Sequence, residues 1–170
     1  MEINKVCVVG AGVMGHGIAL VAARAGFKTA VVETEAHLLD KGLNRIKNSI
    51  NKFVQTKKMN EDDAEHVVEL LQPTLHLEEG ASDADVVIEA VPELLDVKQT
   101  VFKKLDSICP PQTILCTNTS QLSITEIASV TSRPDKVIGT HFFAPAQVMK
   151  LIEIPRGEKT SDETLNTVLK

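Results

Sequence analysis

At 170 residues, 43% of them hydrophobic and 24% charged, the chain is long enough for one well-buried domain and short for two. Its net charge of −5 argues against a general polyanion-binding surface, which recruits clustered Lys and Arg. With no Tyr or Trp for base stacking and no run of about 18 apolar residues, neither a nucleic-acid partner nor a membrane span is expected.

The N-terminal residues include acidic Glu2 and lead straight into a glycine turn, which does not fit a signal peptide. Residues 5–9 (KVCVV) predict a strand, 13–25 a helix, and 29–32 (TAVV) a second strand closed by Glu33. From 35 to about 57 the spacing is helical, with Leu38, Leu39, Leu43, Ile46, Ile50 and Phe53 on one side. Asn60 followed by Glu61 and Asp62 marks another helix start; that helix carries Val67, Val68, Leu70 and Leu71 and is expected to end near Pro73. Strand and helix then alternate: strand 85–89 (DVVIE), helix 96–108, strand 113–117 (TILCT), helix 124–130, strand 136–141 (KVIGTH) and a further strand 149–154 (MKLIEI). Thr160, Ser161, Asp162 and Glu163 resemble a helix start close to Lys170, so the sequence reads as cut short. Continuous Val/Ile/Leu runs separated by helices predict an α/β domain over residues 1–170: a Rossmann-type, doubly wound, mostly parallel sheet with helices on both faces.

Three cysteines, Cys7, Cys109 and Cys116, are odd in number and lack metal-ligand spacing, so no metal is expected. Cys7 and Cys116 sit in apolar runs as ordinary buried thiols, and a reducing, cytoplasmic compartment is the simplest reading, an organelle matrix staying open.

Gly10, Gly12 and Gly15 form a G-x-G-x-x-G that follows a strand and opens a helix, the context a dinucleotide fingerprint requires. Gly10 allows the tight turn, Gly12 lets a pyrophosphate approach the backbone, and Gly15 lets the helix pack on the strand. Val13 and Met14 belong to the same cofactor-binding turn. Glu33, about twenty residues on, ends the second strand, where a carboxylate accepts hydrogen bonds from a free ribose hydroxyl and repels an extra phosphate. NAD is therefore the expected cofactor. The plainer alternatives are a tight turn without ligand and a strand-end Glu facing water.

Ligands of open parallel sheets bind beyond the carboxyl ends of the strands. Those ends carry Glu93, Asn118, Ser120 and His141. Oxidising a secondary alcohol requires a proton to leave oxygen as hydride leaves carbon, a task suited to histidine, and Glu153 on the following strand can return to orient it. From pattern alone, a lone histidine before aromatic residues is more often a packing or capping residue.

The stretches GAGVMGHGIA, EAVPELLDVKQTVFKKL, TNTSQLSI, HFFAPAQVMKLIEI and TSDET together resemble the NAD-binding domain of the L-3-hydroxyacyl-CoA dehydrogenase family, in order and spacing, over essentially the whole chain. The resemblance implies that NAD is the cofactor and a 3-hydroxyacyl-CoA the substrate, its C3 hydroxyl oxidised or the reverse, in fatty acid β-oxidation. It implies that His141 is the catalytic base, Glu153 its carboxylate partner and Ser120 the hydroxyl holding the C3 oxygen. Glu33 would bind the adenosine ribose, and Glu93, Lys98, Asn118 and Ser120 would lie around the nicotinamide ribose or ring. Ser49 and the Lys57 region correspond to contacts with CoA, each also readable as a solvated helix face.

Two departures stand out. Ala144 occupies a position where the family usually has Asn. The family's helical domain, which supplies another polar site residue, covers the acyl chain and builds the dimer, is not among the 170 residues; a homo-oligomer is expected only with it. Two other functions compete: a dehydrogenase of a non-CoA hydroxy acid or sugar acid, and a dinucleotide-binding module without catalysis.

Overall fold

The computed structural model describes residues 2–170. In chain order the elements are β1 (Lys5–Val9), α1 (Gly15–Arg24), β2 (Lys28–Val32), α2 (Ala36–Gln55), α3 (Glu61–Leu70), β3 (Leu71–Thr74), α4 (Leu77–Ala81) and β4 (Val86–Glu89). They continue with α5 (Leu95–Ile108), β5 (Ile114–Thr117), α6 (Ile124–Ala128), β6 (Val137–Gly139), β7 (His141–Phe142), β8 (Ile152–Glu153) and α7 (Asp162–Val168). Six strands form one parallel sheet in the order β3-β2-β1-β4-β5-β6, and β7 and β8 form a separate antiparallel pair. The strand order reverses direction beside β1, which places the topological switch point between β1 and β4.

The apolar strand runs are explained by burial on both faces. On one face Val6 and Val8 of β1 and Val31 of β2 pack with Ile18 and Leu20 of α1 and Ile46 of α2. On the other, Cys7 and Val9 of β1, with Val87 and Leu115, pack against Phe102 and Leu105 of α5 and Ile127 of α6. Successive residues of β1 thus enter opposite cores, the two-residue period of a strand. Asn60, Ser123 and Ser161 accept backbone N–H bonds from Asp63, Glu126 and Thr164 and cap α3, α6 and α7.

Three expectations need correction. The helix expected to reach Pro73 stops at Leu70, and residues 71–74 form β3, paired in parallel with β2 at the sheet edge. An edge strand tolerates Pro73, because its missing N–H need not serve a central ladder. The strand expected over 136–141 breaks at Thr140 into β6 and β7, and the one expected over 149–154 shrinks to β8, outside the main sheet. Helix α4, which packs Gly80 against Val32, has no counterpart in the sequence reading.

All three cysteines are free and buried. Burial pushes the Cys109 thiol up to about 11 and that of Cys116 up to about 12, and raises Cys7 further still, as befits core packing rather than reactivity. Among the described residues no cluster of His, Cys, Asp or Glu is placed to hold a metal ion, and no helix is long and apolar enough to cross a membrane.

Candidate active site

A cleft of about 780 Å³ opens at the carboxyl ends of the parallel strands, over the switch point. The turn after β1 contributes Gly10, Gly12, Val13 and Met14 to its wall, and the end of β2 contributes Glu33. The loops after β4 and β5 bring Glu93, Asn118 and Ser120, and β7 brings His141. Strand ends far apart in sequence therefore converge on one cavity.

The glycines of the turn have separate reasons. Gly10 has φ +99°, and a Cβ there would come within 2.8 Å of the Ala90 carbonyl oxygen on β4's exit. A Cβ at Gly15 would lie 1.7 Å from the Gly10 carbonyl oxygen, so α1 can start only with glycine there. Gly12 differs: nothing in the protein lies within 4 Å of an added Cβ, and the open space belongs to the cleft. Val13 beside it is 67% exposed. Gly17 serves another purpose, since a Cβ there would meet Gln147 in the loop after β7. His16 steadies the turn through an Nδ1 bond of 2.7 Å to the Gly12 carbonyl, which as an acceptor requires Nδ1 to carry the hydrogen.

Glu33 is oriented by the backbone. Its Oε2 accepts from Ala11 N–H at 3.1 Å and its Oε1 from Thr34 N–H at 2.8 Å, so the carboxylate is held between the turn and its own strand end. Each oxygen keeps acceptor capacity for a cleft ligand. A glycine cradle open at Gly12, a helix beginning at Gly15 and an oriented carboxylate about twenty residues on fit the diphosphate and ribose of a dinucleotide.

At the other end His141 Nδ1 lies 2.9 Å from Glu153 Oε2, His141 being mostly buried and Glu153 59% exposed. The imidazole also stacks at a tilt against Phe143, centroids 4.7 Å apart. Asn118 Oδ1 accepts the Phe142 N–H at 2.9 Å, which fixes the amide and leaves its two N–H donors for a ligand. Ser120 donates its backbone N–H to Glu93 Oε1 at 2.9 Å, and Glu93 also accepts from the Thr119 hydroxyl. Burial would raise the Glu93 carboxyl, but Thr119, the Ser120 N–H and Lys98 outweigh it and hold it below the usual range.

Lys98 lines the cleft while being 1% exposed. Its Nζ is 2.6 Å from Glu89 Oε1 and 3.2 Å from Glu93 Oε2. Glu89, fully buried at the end of β4 and behind the cleft wall, is the partner of Lys98 that sequence reading missed. Its Oε1 also accepts the Val91 N–H and its Oε2 the Thr117 hydroxyl. The available signal was a carboxylate closing the apolar run VVIE, which demands a buried partner.

Ser49 and Lys57 stand apart from this cleft. Ser49, on α2, accepts from Gln147 Nε2 at 3.2 Å. Lys57 follows α2 with φ 57° and lines a separate shallow depression with Lys58, Met59 and Asn60. Ala144 does line the main cleft, next to Phe143, and offers it only a methyl group.

Residues 5–170 match the family model for the 3-hydroxyacyl-CoA dehydrogenase NAD binding domain. The chain is 46% identical over 169 residues to a probable 3-hydroxybutyryl-CoA dehydrogenase of Bacillus subtilis, a match covering 99% of this chain and 58% of the relative. It is 40% identical to the 3-hydroxyadipyl-CoA dehydrogenase of Escherichia coli, over 97% of this chain and 34% of that protein. Among solved structures, the (S)-3-hydroxybutyryl-CoA dehydrogenase of Ralstonia eutropha aligns with a TM-score of 0.95 at 36% identity, covering 98% of this chain and 59% of that one. The chain thus spans less than two thirds of each of these relatives.

Proposed function

This chain belongs to the 3-hydroxyacyl-CoA dehydrogenase family, in the part that forms the NAD-binding domain, and from that premise we propose that it carries the cofactor site and the proton-transfer pair of an NAD-dependent dehydrogenase of (S)-3-hydroxyacyl-CoA thioesters. The observation that carries the proposal is the His141–Glu153 pair in the wall of a cleft that also holds the glycine turn and Glu33.

Bound NAD+ supplies the acceptor for the hydride that leaves C3. The remaining work falls to side chains. A carboxylate oxygen only accepts, so His141 Nδ1 carries its hydrogen and Nε2 keeps a lone pair for the C3 hydroxyl proton. Glu153 steadies the imidazolium that forms by turning a neutral hydrogen bond into a charge-assisted one. As the O–H and C–H electron pairs reorganise, the alcohol becomes a carbonyl and the proton stays on His141; reduction runs the same path backwards. Ser120 holds the C3 oxygen with its hydroxyl. Glu33 takes the adenosine ribose, and Asn118 and Glu93, with Lys98 behind them, take the nicotinamide end. Ser49 and Lys57, outside the cleft, are assigned to the CoA moiety. Acyl-chain cover and dimer contacts are assigned to none of residues 1–170, and the isolated chain is expected to bind NADH and turn over slowly.

The test compares NADH oxidation by a 3-oxoacyl-CoA and by the free 3-oxo acid, on the protein as the cell makes it, with NADPH as the control cofactor. Turnover of the thioester with NADH is expected. A preference for the free acid replaces the CoA assignment, and NADH binding without turnover of either reduces the protein to a dinucleotide-binding module.

A further inference from the structure

Of the charged residues lining the cleft, two cations have no ion-pair partner among the described residues. Lys41 and Arg45 sit one turn apart on α2 and line the same cavity as Gly12, Val13 and Glu33. Lys98 is already taken up by Glu89 and Glu93. Among the described residues, no carboxylate lies within ion-pair distance of Lys41 or Arg45. The helix offers none either. The residues three and four positions from Lys41 are His37, Leu38, Asn44 and Arg45 itself; those for Arg45 are Lys41, Gly42, Asn48 and Ser49. Like charges at this spacing repel, so the arrangement costs the helix something that an anion between them would relieve.

Helix α2 is also drawn hard against the glycine turn at this height. A Cβ on Gly42 would lie 2.5 Å from the Ala11 side chain and 2.7 Å from the Ala11 carbonyl oxygen. Gly42 thus sets a close approach of α2 to the turn, and Lys41 and Arg45, on either side of it in sequence, line the cleft. Guanidinium and ammonium groups brought to a glycine turn make a phosphate-binding arrangement, with Arg able to grip two oxygens at once.

We propose that Lys41 and Arg45 form a phosphate subsite on the α2 wall of the cleft, supplementing the N–H groups of the glycine turn in holding the diphosphate of a dinucleotide. This assignment rests on the reading of the cleft as a dinucleotide site. Two carboxylates, Glu33 and Glu93, share the cavity, so without these cations a diphosphate would enter a field of its own sign. The same chemistry fits the phosphates of a CoA thioester, because α2 runs on one further turn to Ser49.

The experiment measures equilibrium binding of NADH and of CoA to wild type, Lys41→Gln, Arg45→Gln, the double variant and Arg45→Lys, each at low and moderate salt. Each neutralisation should raise the dissociation constant for NADH about tenfold, the size of one lost charge-assisted contact. The double variant should bind with a shallower salt dependence, and Arg45→Lys should keep the wild-type salt dependence. A loss confined to CoA assigns the subsite to the thioester's phosphates. Unchanged affinity for both ligands overturns the proposal. Wild type that fails to bind NADH refutes the dinucleotide reading, and refutes this subsite too only if CoA fails to bind. Thermal unfolding separates binding from folding: removing one of two repelling cations should leave the midpoint unchanged or raised, so a lowered midpoint together with weaker binding counts against the subsite.

Discussion

His141 and Glu153 face each other directly across the β7–β8 ladder, and the Nδ1 of one lies 2.9 Å from the Oε2 of the other. Cross-strand partners have Cβ atoms about 5 Å apart, so the pairing itself brings imidazole and carboxylate within bonding reach. His141→Gln should lower turnover about 10²- to 10⁴-fold, the usual contribution of a positioned acid–base group, while NADH affinity stays unchanged. Glu153→Gln keeps an oxygen to accept the Nδ1 hydrogen but loses the charge that stabilises the imidazolium; about a tenfold loss of turnover is expected. Steady-state kinetics beside an NADH titration checks both. If His141→Gln weakens NADH binding and leaves turnover at saturation intact, the base is elsewhere.

The Glu89–Lys98 pair is buried on both sides, and removing one charge strands the other. Lys98→Met leaves Glu89 with the Val91 N–H and the Thr117 hydroxyl but no cation at bonding distance. Such a loss costs about 3–5 kcal/mol of stability. The double variant Glu89→Gln, Lys98→Met removes both charges, and its cost should fall well short of the sum of the two single losses. Urea unfolding of the four proteins measures this coupling. Additive losses would mean that the two groups do not depend on each other.

How much of this was readable without coordinates depended on burial. Strands β1, β2, β4 and β5 are covered on both faces, and complete burial writes continuous apolar runs into the sequence. β3 lies at the edge with two exposed residues in LQPT, so it carries neither an apolar run nor an alternation, and the preceding helix pattern ran on into it. The apolar stretch around β8 misled for the opposite reason: Val148, Met149, Leu151 and Ile152 are all exposed in this chain, so their hydrophobicity does not report sheet burial. His141, Asn118, Ser120 and Glu93 were legible because a parallel sheet directs its strand ends to one side. Glu89 was not, since its partner comes from the first turn of the next helix, nor were Lys41 and Arg45, because helical spacing does not say which turn of α2 meets the glycine loop.

Glu93 ties local charge to pH. Its carboxyl is held below the usual Glu range in the folded protein, because the bonds from Thr119, Ser120 and Lys98 exceed the burial penalty. A depressed folded value means that the unfolded chain binds the proton first. The stabilisation is therefore complete above the ordinary Glu value of about 4.3 and is lost as pH falls through the lower folded value. Glu93→Gln has no such proton to bind. Wild type should be the more stable of the two at neutral pH, by about 1 kcal/mol or less at this partly exposed site, and the difference should close below about pH 4. Thermal melts from pH 7 to pH 3 test the sign; a gap that widens on acidification would refute it.

Gly12 and Gly15 separate ligand from fold within one motif. At Gly15 a methyl group would stand 1.7 Å from the Gly10 carbonyl oxygen, backbone that cannot yield without dismantling the turn, so Gly15→Ala should destabilise the protein by about 3 kcal/mol or more. At Gly12 nothing in the protein lies within 4 Å of the same methyl. Gly12→Ala should accordingly leave stability within about 0.5 kcal/mol of wild type, the range of a substitution that meets no neighbour. Its effect should appear in binding, because the methyl projects into the space through which a diphosphate reaches the turn: the NADH dissociation constant should rise about tenfold or more. Calorimetric unfolding of both variants, with an NADH titration of Gly12→Ala, checks this: stability falls at Gly15, and at Gly12 binding falls while stability holds. Should Gly12→Ala bind NADH as wild type does, the open space above the turn is not where the phosphates sit.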